Sequence, residues 1–186
     1  MLCKSVRIFG LLAALVVAGQ TYGSHRFPEY PARGAAEYSI KVVKPGLIVA
    51  VEPLDDSDQQ KLYFNAKLDA KGMLAVFLVI ENTSGTDTYL FDKSAAGLAE
   101  PSAGSGSLQP VGSGGLVELS MIKDASNERE NMLKKEVRSQ TLAPHSSLHG
   151  FLYVPVPHAA QRGKIHLQIP LTNSQSGEIE MVNLTF

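Results

Sequence analysis

The chain has 186 residues, 44% of them hydrophobic and 19% charged, with 17 basic against 18 acidic side chains. That hydrophobicity excludes a disordered chain, and the balanced charge with no basic stripe gives nothing to draw it to nucleic acid or an anionic membrane surface. Without an N-terminal export segment about 160 residues remain, one domain of ordinary size that can bury a core without disulfide staples.

Lys4 and Arg7 make a positive start, Ile8 to Ala18 an apolar run, and Ala18, Gly19 and Gly23 supply small residues behind it. This is the order of a secretory signal peptide over residues 1–23, and the run is too short to cross a hydrocarbon layer of roughly 30 Å as a helix. Cleavage after Ala18 and cleavage after Gly23 both fit. Val17-Ala18-Gly19 matches the start of a lipoprotein cleavage box, but Gln20 stands where the lipidated cysteine belongs. The mature protein is therefore expected to be periplasmic or secreted, with no lipid anchor. Export removes Lys4, Arg7 and the only cysteine, Cys3, leaving 15 basic against 18 acidic residues and no thiolate nucleophile or metal ligand. The longest later apolar stretch, Leu74 to Ile80, is too short to span a membrane.

Residues 24–37 contain Pro28, Pro31 and Gly34 and read as an extended lead-in without a core of its own. From residue 38 to residue 186 strand signals dominate. Tyr38 to Val43 alternates, Pro45-Gly46 turns the chain, and Leu47 to Val51 is a second strand. Asp55 to Asp58 carries turn chemistry, with a short helical turn over Asp58 to Tyr63 as the alternative, and Phe64 to Leu68 is a weak strand or loop. Met73 to Glu81 is the strongest element. Seven consecutive apolar residues, several β-branched, describe a central strand covered on both faces. After the Asn82-Thr83-Ser84-Gly85 turn, Thr88 to Asp92 is expected to return as its hairpin partner.

Ala99 to Gly115, with five glycines, four serines and two prolines, reads as a loop. Leu116 to Ile122 alternates. Ser126 to Val137 is the one helix candidate, with Ser126 as its N-cap and Met132, Leu133 and Val137 as a partial apolar face. Ser147 to Val154 is a strand that Pro155 and Pro157 end or place on a sheet edge. Lys164 to Ile169 alternates with Ile165, Leu167 and Ile169 inward, Asn173 to Gly177 turns, and Glu178 to Phe186 closes the chain. Eight to ten short strands with turn clusters between them define a mainly β, antiparallel, immunoglobulin-like β-sandwich with at most one short helix. A barrel is the runner-up; for a membrane barrel, Glu178 and Glu180 break the lipid-facing alternation of Val182, Leu184 and Phe186.

The chemistry-bearing residues do not assemble into a motif. His145, His149, His158 and His166 crowd one region, but they contain no His-Glu-x-x-His, and His145 and His149 sit in a β context between Pro144 and Gly150. Glu52, Asp55, Asp56 and Asp58 offer oxygens to calcium without the spacing or the glycine of an EF-hand. Ser105 and Ser113 lie between glycines but lack the strand and helix that a nucleophile elbow requires. Asn82 and Asn183 begin glycosylation sequons, relevant only in a eukaryotic secretory pathway. No catalytic, cofactor or metal residue is assigned.

Several segments resemble a known kind of protein: Tyr30-Pro31-Ala32-Arg33, Lys61-Leu62-Tyr63-Phe64-Asn65, Lys71-Gly72-Met73-Leu74, Glu81-Asn82-Thr83-Ser84 and Gly150-Phe151-Leu152-Tyr153-Val154-Pro155. Over about half the mature chain they resemble exported bacterial proteins of uncharacterised function, similar in style to immunoglobulin-like accessory domains of bacterial envelopes. The resemblance implies a bacterial source and a sandwich fold and supplies no catalytic residue. The expectation is a non-catalytic exported module without a cofactor. It would bind another envelope or secreted protein, with strand edges as the docking surface. The alternatives are a hydrolase using histidines of the 145–166 region and an inhibitor or small-ligand module using the Ala99 to Gly115 loop.

Overall fold

The computed structural model describes residues 27–101, 108–110, 127–155 and 165–186. The signal segment 1–23, the strand expected over Leu116 to Ile122, Ser105, Ser113, Ser126, Pro157 and His158 lie outside the described residues. In chain order the strands are β1 (Ile40–Lys44), β2 (Leu47–Leu54), β3 (Met73–Asn82), β4 (Tyr89–Phe91), β5 (Gly97–Pro101), β6 (Leu108–Pro110), β7 (Gln140–Leu142), β8 (Ser147–Pro155), β9 (His166–Asn173) and β10 (Ile179–Thr185). Two α-helices join them, α1 (Ser57–Phe64) and α2 (Asn127–Lys135).

The strands form two antiparallel sheets. One has the order β1-β2-β3-β8. The other is built on β9, which pairs along its length with β10 on one side and with β4 and β5, end to end, on the other; β7 extends β4 and β6 extends β5. The faces meet as a sandwich. Leu47, Val49 and Val51 of β2 and Val76, Leu78 and Ile80 of β3 pack with Leu167, Ile169 and Leu171 of β9 and with Val182 and Leu184 of β10.

The apolar run of β3 needs a second cover, because successive strand residues point to opposite faces. Ala75, Phe77 and Val79 point away from the sandwich core into a second cluster with Phe151 and Tyr153 of β8. Phe64 of α1, Ala66, Leu68, Met132 of α2, Ala35 and Tyr38 close over them, and Tyr30 packs at the margin. The four-stranded sheet is thus the middle of three layers, buried on both faces, as the uninterrupted run requires.

Polar side chains tie this outer layer down. Gln60 of α1 is fully buried; its amide donates to Leu54 O at 2.9 Å and its oxygen accepts from Leu68 N at 2.7 Å. Helix α1 ends at Asn65 in the left-handed conformation, φ 56°. Its terminal Tyr63 carbonyl accepts from Asn131 Nδ2 at 2.7 Å and from Lys135 Nζ at 2.6 Å, the arrangement a helix C-terminus favours. Burial pushes the Lys135 ammonium pKa down, yet its Nζ lies about 5.5 Å from the Phe64 ring centre and donates to Pro28 O at 2.7 Å.

Three sequence expectations are corrected. Residues 57–64 form α1, so Asp58 to Tyr63 is a full helix and Phe64 its last residue, not a strand; the described residues hold two α-helices where at most one is expected. β4 does not pair with β3. It crosses to the other sheet, and β8 takes the place beside β3. The cause is the knot after β3. Asn82 is buried, and its Nδ2 donates to Asp87 O at 2.7 Å, Ala143 O at 3.0 Å and Leu142 O at 3.2 Å. Ser84 Oγ donates to Asp87 Oδ2 at 2.9 Å and accepts from Asp87 N at 2.9 Å. These bonds bend the chain out of the first sheet and fasten the end of β3 to the strand end of the second. Finally, the glycine-rich stretch is not all loop: β5 and β6 pair as Ala99↔Pro110, Glu100↔Gln109 and Pro101↔Leu108. Ladder bonding needs no apolar side chain, so composition underestimates such a hairpin.

Gly150 marks the tightest approach. Val137 N donates to Phe151 O at 2.9 Å, laying residue 137 along the outer edge of β8. A Cβ on Gly150 would come within 2.8 Å of the Val137 backbone. Gly150→Ala is expected to lower stability by about 2–4 kcal/mol, overpacking adding to strain at φ 157°. Gly177→Ala, where φ is 72° and nothing lies within 4 Å, should cost only about 1 kcal/mol. Urea midpoints compare the two, and equal losses would remove the steric account. Asn82→Ala strands three carbonyls and should cost about 2–3 kcal/mol in the same assay.

Candidate functional site

The outer face of the six-stranded sheet is built by simple alternation. In β10, Val182 and Leu184 point into the sandwich, so Ile179, Met181, Asn183 and Thr185 point out. In β9, Leu167, Ile169 and Leu171 point in, so His166, Gln168, Pro170 and Thr172 point out. In β4, Tyr89 and Phe91 are core and Leu90 points out. Register brings the outward groups together: Thr172 lies opposite Ile179 on one side and Leu90 on the other, and Met181 lies opposite Pro170.

Ile179 is 58% exposed, Met181 41% and Leu90 43%. They are three of only five large hydrophobic side chains so exposed among the described residues; Val43 and Leu62 lie elsewhere. None of the outward residues of β4, β9 and β10 is Asp, Glu, Lys or Arg. A sheet face that carries apolar side chains and no formal charge has the composition of an interface centre. The opposite outer face of the molecule, in contrast, is roofed by α1, α2 and the lead-in.

The adjacent edge is less inviting. Among the described residues β10 pairs only with β9 and β1 only with β2. At the corner where these two edge strands approach, Lys44 and Glu180 stand at inward-facing positions and pair with each other. Inward charges on edge strands discourage addition of a foreign strand. The edge expected from sequence to dock a partner thus carries an inward charge pair, whereas the outward positions of β4, β9 and β10 carry no formal charge.

The residues singled out by sequence are scattered. His145 sits in a turn at φ 57°, its ring over Gly85. His149 projects from the helix-roofed side of β8, with its ring centre 5.9 Å from that of Phe77. His166 lies on the open face of the other sheet, where Nδ1 is 2.9 Å from Thr185 Oγ1. The structure does not bring these three together, and no group of three or more metal-ligating side chains occurs among the described residues. The acidic stretch is used by the fold. Glu52 accepts from Tyr30 Oη at 2.7 Å and from Arg33 at 3.0 Å. Asp56 caps α1, accepting from Asp58 N at 2.8 Å and Gln59 N at 3.0 Å, and Asp58 pairs with Lys61. The amide of Asn82 is buried and bonded, whereas Asn183 is exposed on the open face.

Sequence reasoning missed Leu90, Ile179 and Met181. A signal for the last two was present: residues 179–184 carry apolar side chains at both odd and even positions, more than a strand with one solvated face needs. Comparison of the chain with protein-family models, with curated proteins and with solved structures gives no match.

The Asp56 cap has a pH consequence. Backbone donation from Gln59 and Asp58 holds its pKa below the ordinary 3.8. The unfolded chain therefore takes up the proton first as pH falls, so the contribution of this cap is full above about pH 4 and fades below it. Asp56→Asn keeps a capping oxygen. It should leave neutral-pH stability nearly unchanged and flatten the acid limb of a stability-against-pH curve measured by urea unfolding.

Proposed function

We propose that the chain is an exported, periplasmic or secreted, non-catalytic accessory protein that binds another envelope or secreted protein through the open face of its six-stranded sheet. The observation that carries this reading is the clustering of Leu90, Ile179 and Met181, exposed among the described residues, on a sheet face whose outward residues in β4, β9 and β10 carry no formal charge. Export is supported by the Lys4 and Arg7 start, the apolar run to Ala18 and the small residues after it. The resemblance to envelope accessory domains supports the compartment and the bacterial source.

A photo-crosslinking side chain at position 179, with a control at Leu62 on α1, tests the reading in the native envelope fraction. One partner should be trapped from position 179 and not from position 62. Ile179→Lys with Met181→Lys should reduce its capture at least tenfold (about 1.4 kcal/mol or more). Each exposed substitution should change folding stability by no more than about 0.5 kcal/mol. Equal trapping from both positions, or undiminished capture by the double variant, would reject the face.

A further inference from the structure

The lead-in is seated on the sheet as a ligand would be. None of residues 27–33 belongs to a strand or helix. Tyr30 inserts its ring among three aromatic rings, at centroid distances of 4.9 Å from Tyr63, 4.6 Å from Phe77 and 5.3 Å from Phe151. Its hydroxyl donates to Glu52 Oε2 at 2.7 Å. Three residues on, the Arg33 guanidinium reaches the same carboxylate, with Nη2 3.0 Å from both oxygens, and stacks 4.5 Å from the centre of the Tyr38 ring. One acidic group therefore reads a phenol and a guanidinium spaced three residues apart, and an aromatic box receives the ring between them.

The anchoring is also light. The Arg33 and Glu52 side chains remain 46% and 35% exposed, and Pro31 and Ala32 between the two anchors are exposed. The first backbone group fixed to the sheet beyond the segment is Ala35 N, which donates to Glu81 Oε1 at 2.8 Å. Gly34, which precedes it, is a natural pivot. The segment's backbone is bonded to side chains, Pro28 O accepting from Lys135 Nζ at 2.7 Å and Arg33 N donating to Tyr38 Oη at 3.1 Å. A segment held without ladder bonds, next to a pivot, can leave its seat and occupy the identical seat on another molecule with the same contacts.

We propose that the Glu52 pocket is a receptor for a Tyr-x-x-Arg segment, filled within the chain by Tyr30 to Arg33 and open to the same segment of a second copy. Reciprocal exchange of the lead-in then links two copies through the roofed side of the molecule. The open face of the six-stranded sheet is not involved, so the inference stands independently of the function proposed above.

The test uses a fluorescent peptide covering Phe27 to Glu37 and the full chain carrying Tyr30→Ala and Arg33→Ala. The vacated variant should bind the peptide saturably, and wild type, its pocket filled, at least tenfold more weakly. Adding Glu52→Gln to the variant should weaken binding at least fivefold. Circular dichroism confirms that the variant is folded; if it is not, Tyr30→Phe with Arg33→Gln keeps the ring and should show the same order of affinities. A folded variant that binds no peptide, or binds it no better than wild type does, overturns the receptor. In a second arm, wild type and vacated variant are mixed and followed by sedimentation. A mixed dimer supports exchange between copies, and its absence at concentrations where the peptide binds overturns the second copy as occupant.

Discussion

The constraint on which this structure depends is that β3 is apolar on both faces. A two-layer sandwich buries one face of each sheet, so Ala75, Phe77 and Val79 would otherwise stand in water. Everything on the outer side of the four-stranded sheet follows from that need. Helix α1 delivers Phe64, α2 delivers Met132, the stretch that follows α1 delivers Ala66 and Leu68, and the lead-in brings Ala35 and Tyr30, with Tyr38 just after it. Full burial of a large apolar side chain is worth about 1.5–3 kcal/mol, so this roof adds a second core to the molecule.

The roof brings polar backbone with it, which must be satisfied where water is excluded. Gln60, Asn131, Lys135 and the Tyr153 hydroxyl do this by bonding to carbonyls and amides of the same layer. No buried side-chain polar atom lacks a partner among the described residues. Among the described residues no helix covers Leu90, Ile179 and Met181 of the six-stranded sheet, and these three stay exposed.

Strand existence was legible in the residues because alternation and β-branching act locally. β1, β2, β3, β8, β9 and β10 all lie where alternation or a short apolar run between turns puts them, and the mainly β antiparallel sandwich follows from their number. The partner of β3 was not legible. Adjacent strands with a turn between them normally pair, but the Asn82 amide reaches Leu142 and Ala143, 60 and 61 residues away, and such a bond leaves no local trace. Helix α1 was seen only as a possible turn because much of its stability is borrowed: only Gln60 and Phe64 are buried, and their partners lie in β2, β8 and residue 68. The lead-in has no core of its own, as its prolines indicate, yet Tyr30 packs at the margin of the second cluster and Arg33 pairs with Glu52 beside it. The open face escaped notice because exposure depends on which elements fail to cover it, a property of the whole arrangement.

The Lys44 and Glu180 pair has a meaning beyond closing a corner. Edge strands of a β protein face neighbours of their own kind at whatever concentration their surroundings hold, and a ladder that starts at one bare edge can continue molecule after molecule into a fibre. Here a foreign strand laid along β1 or β10 would have to cover a charge that already points inward. The growth of such a fibre is thus opposed at its first step by two residues that add little to the stability of the single molecule, since both remain about one-third exposed.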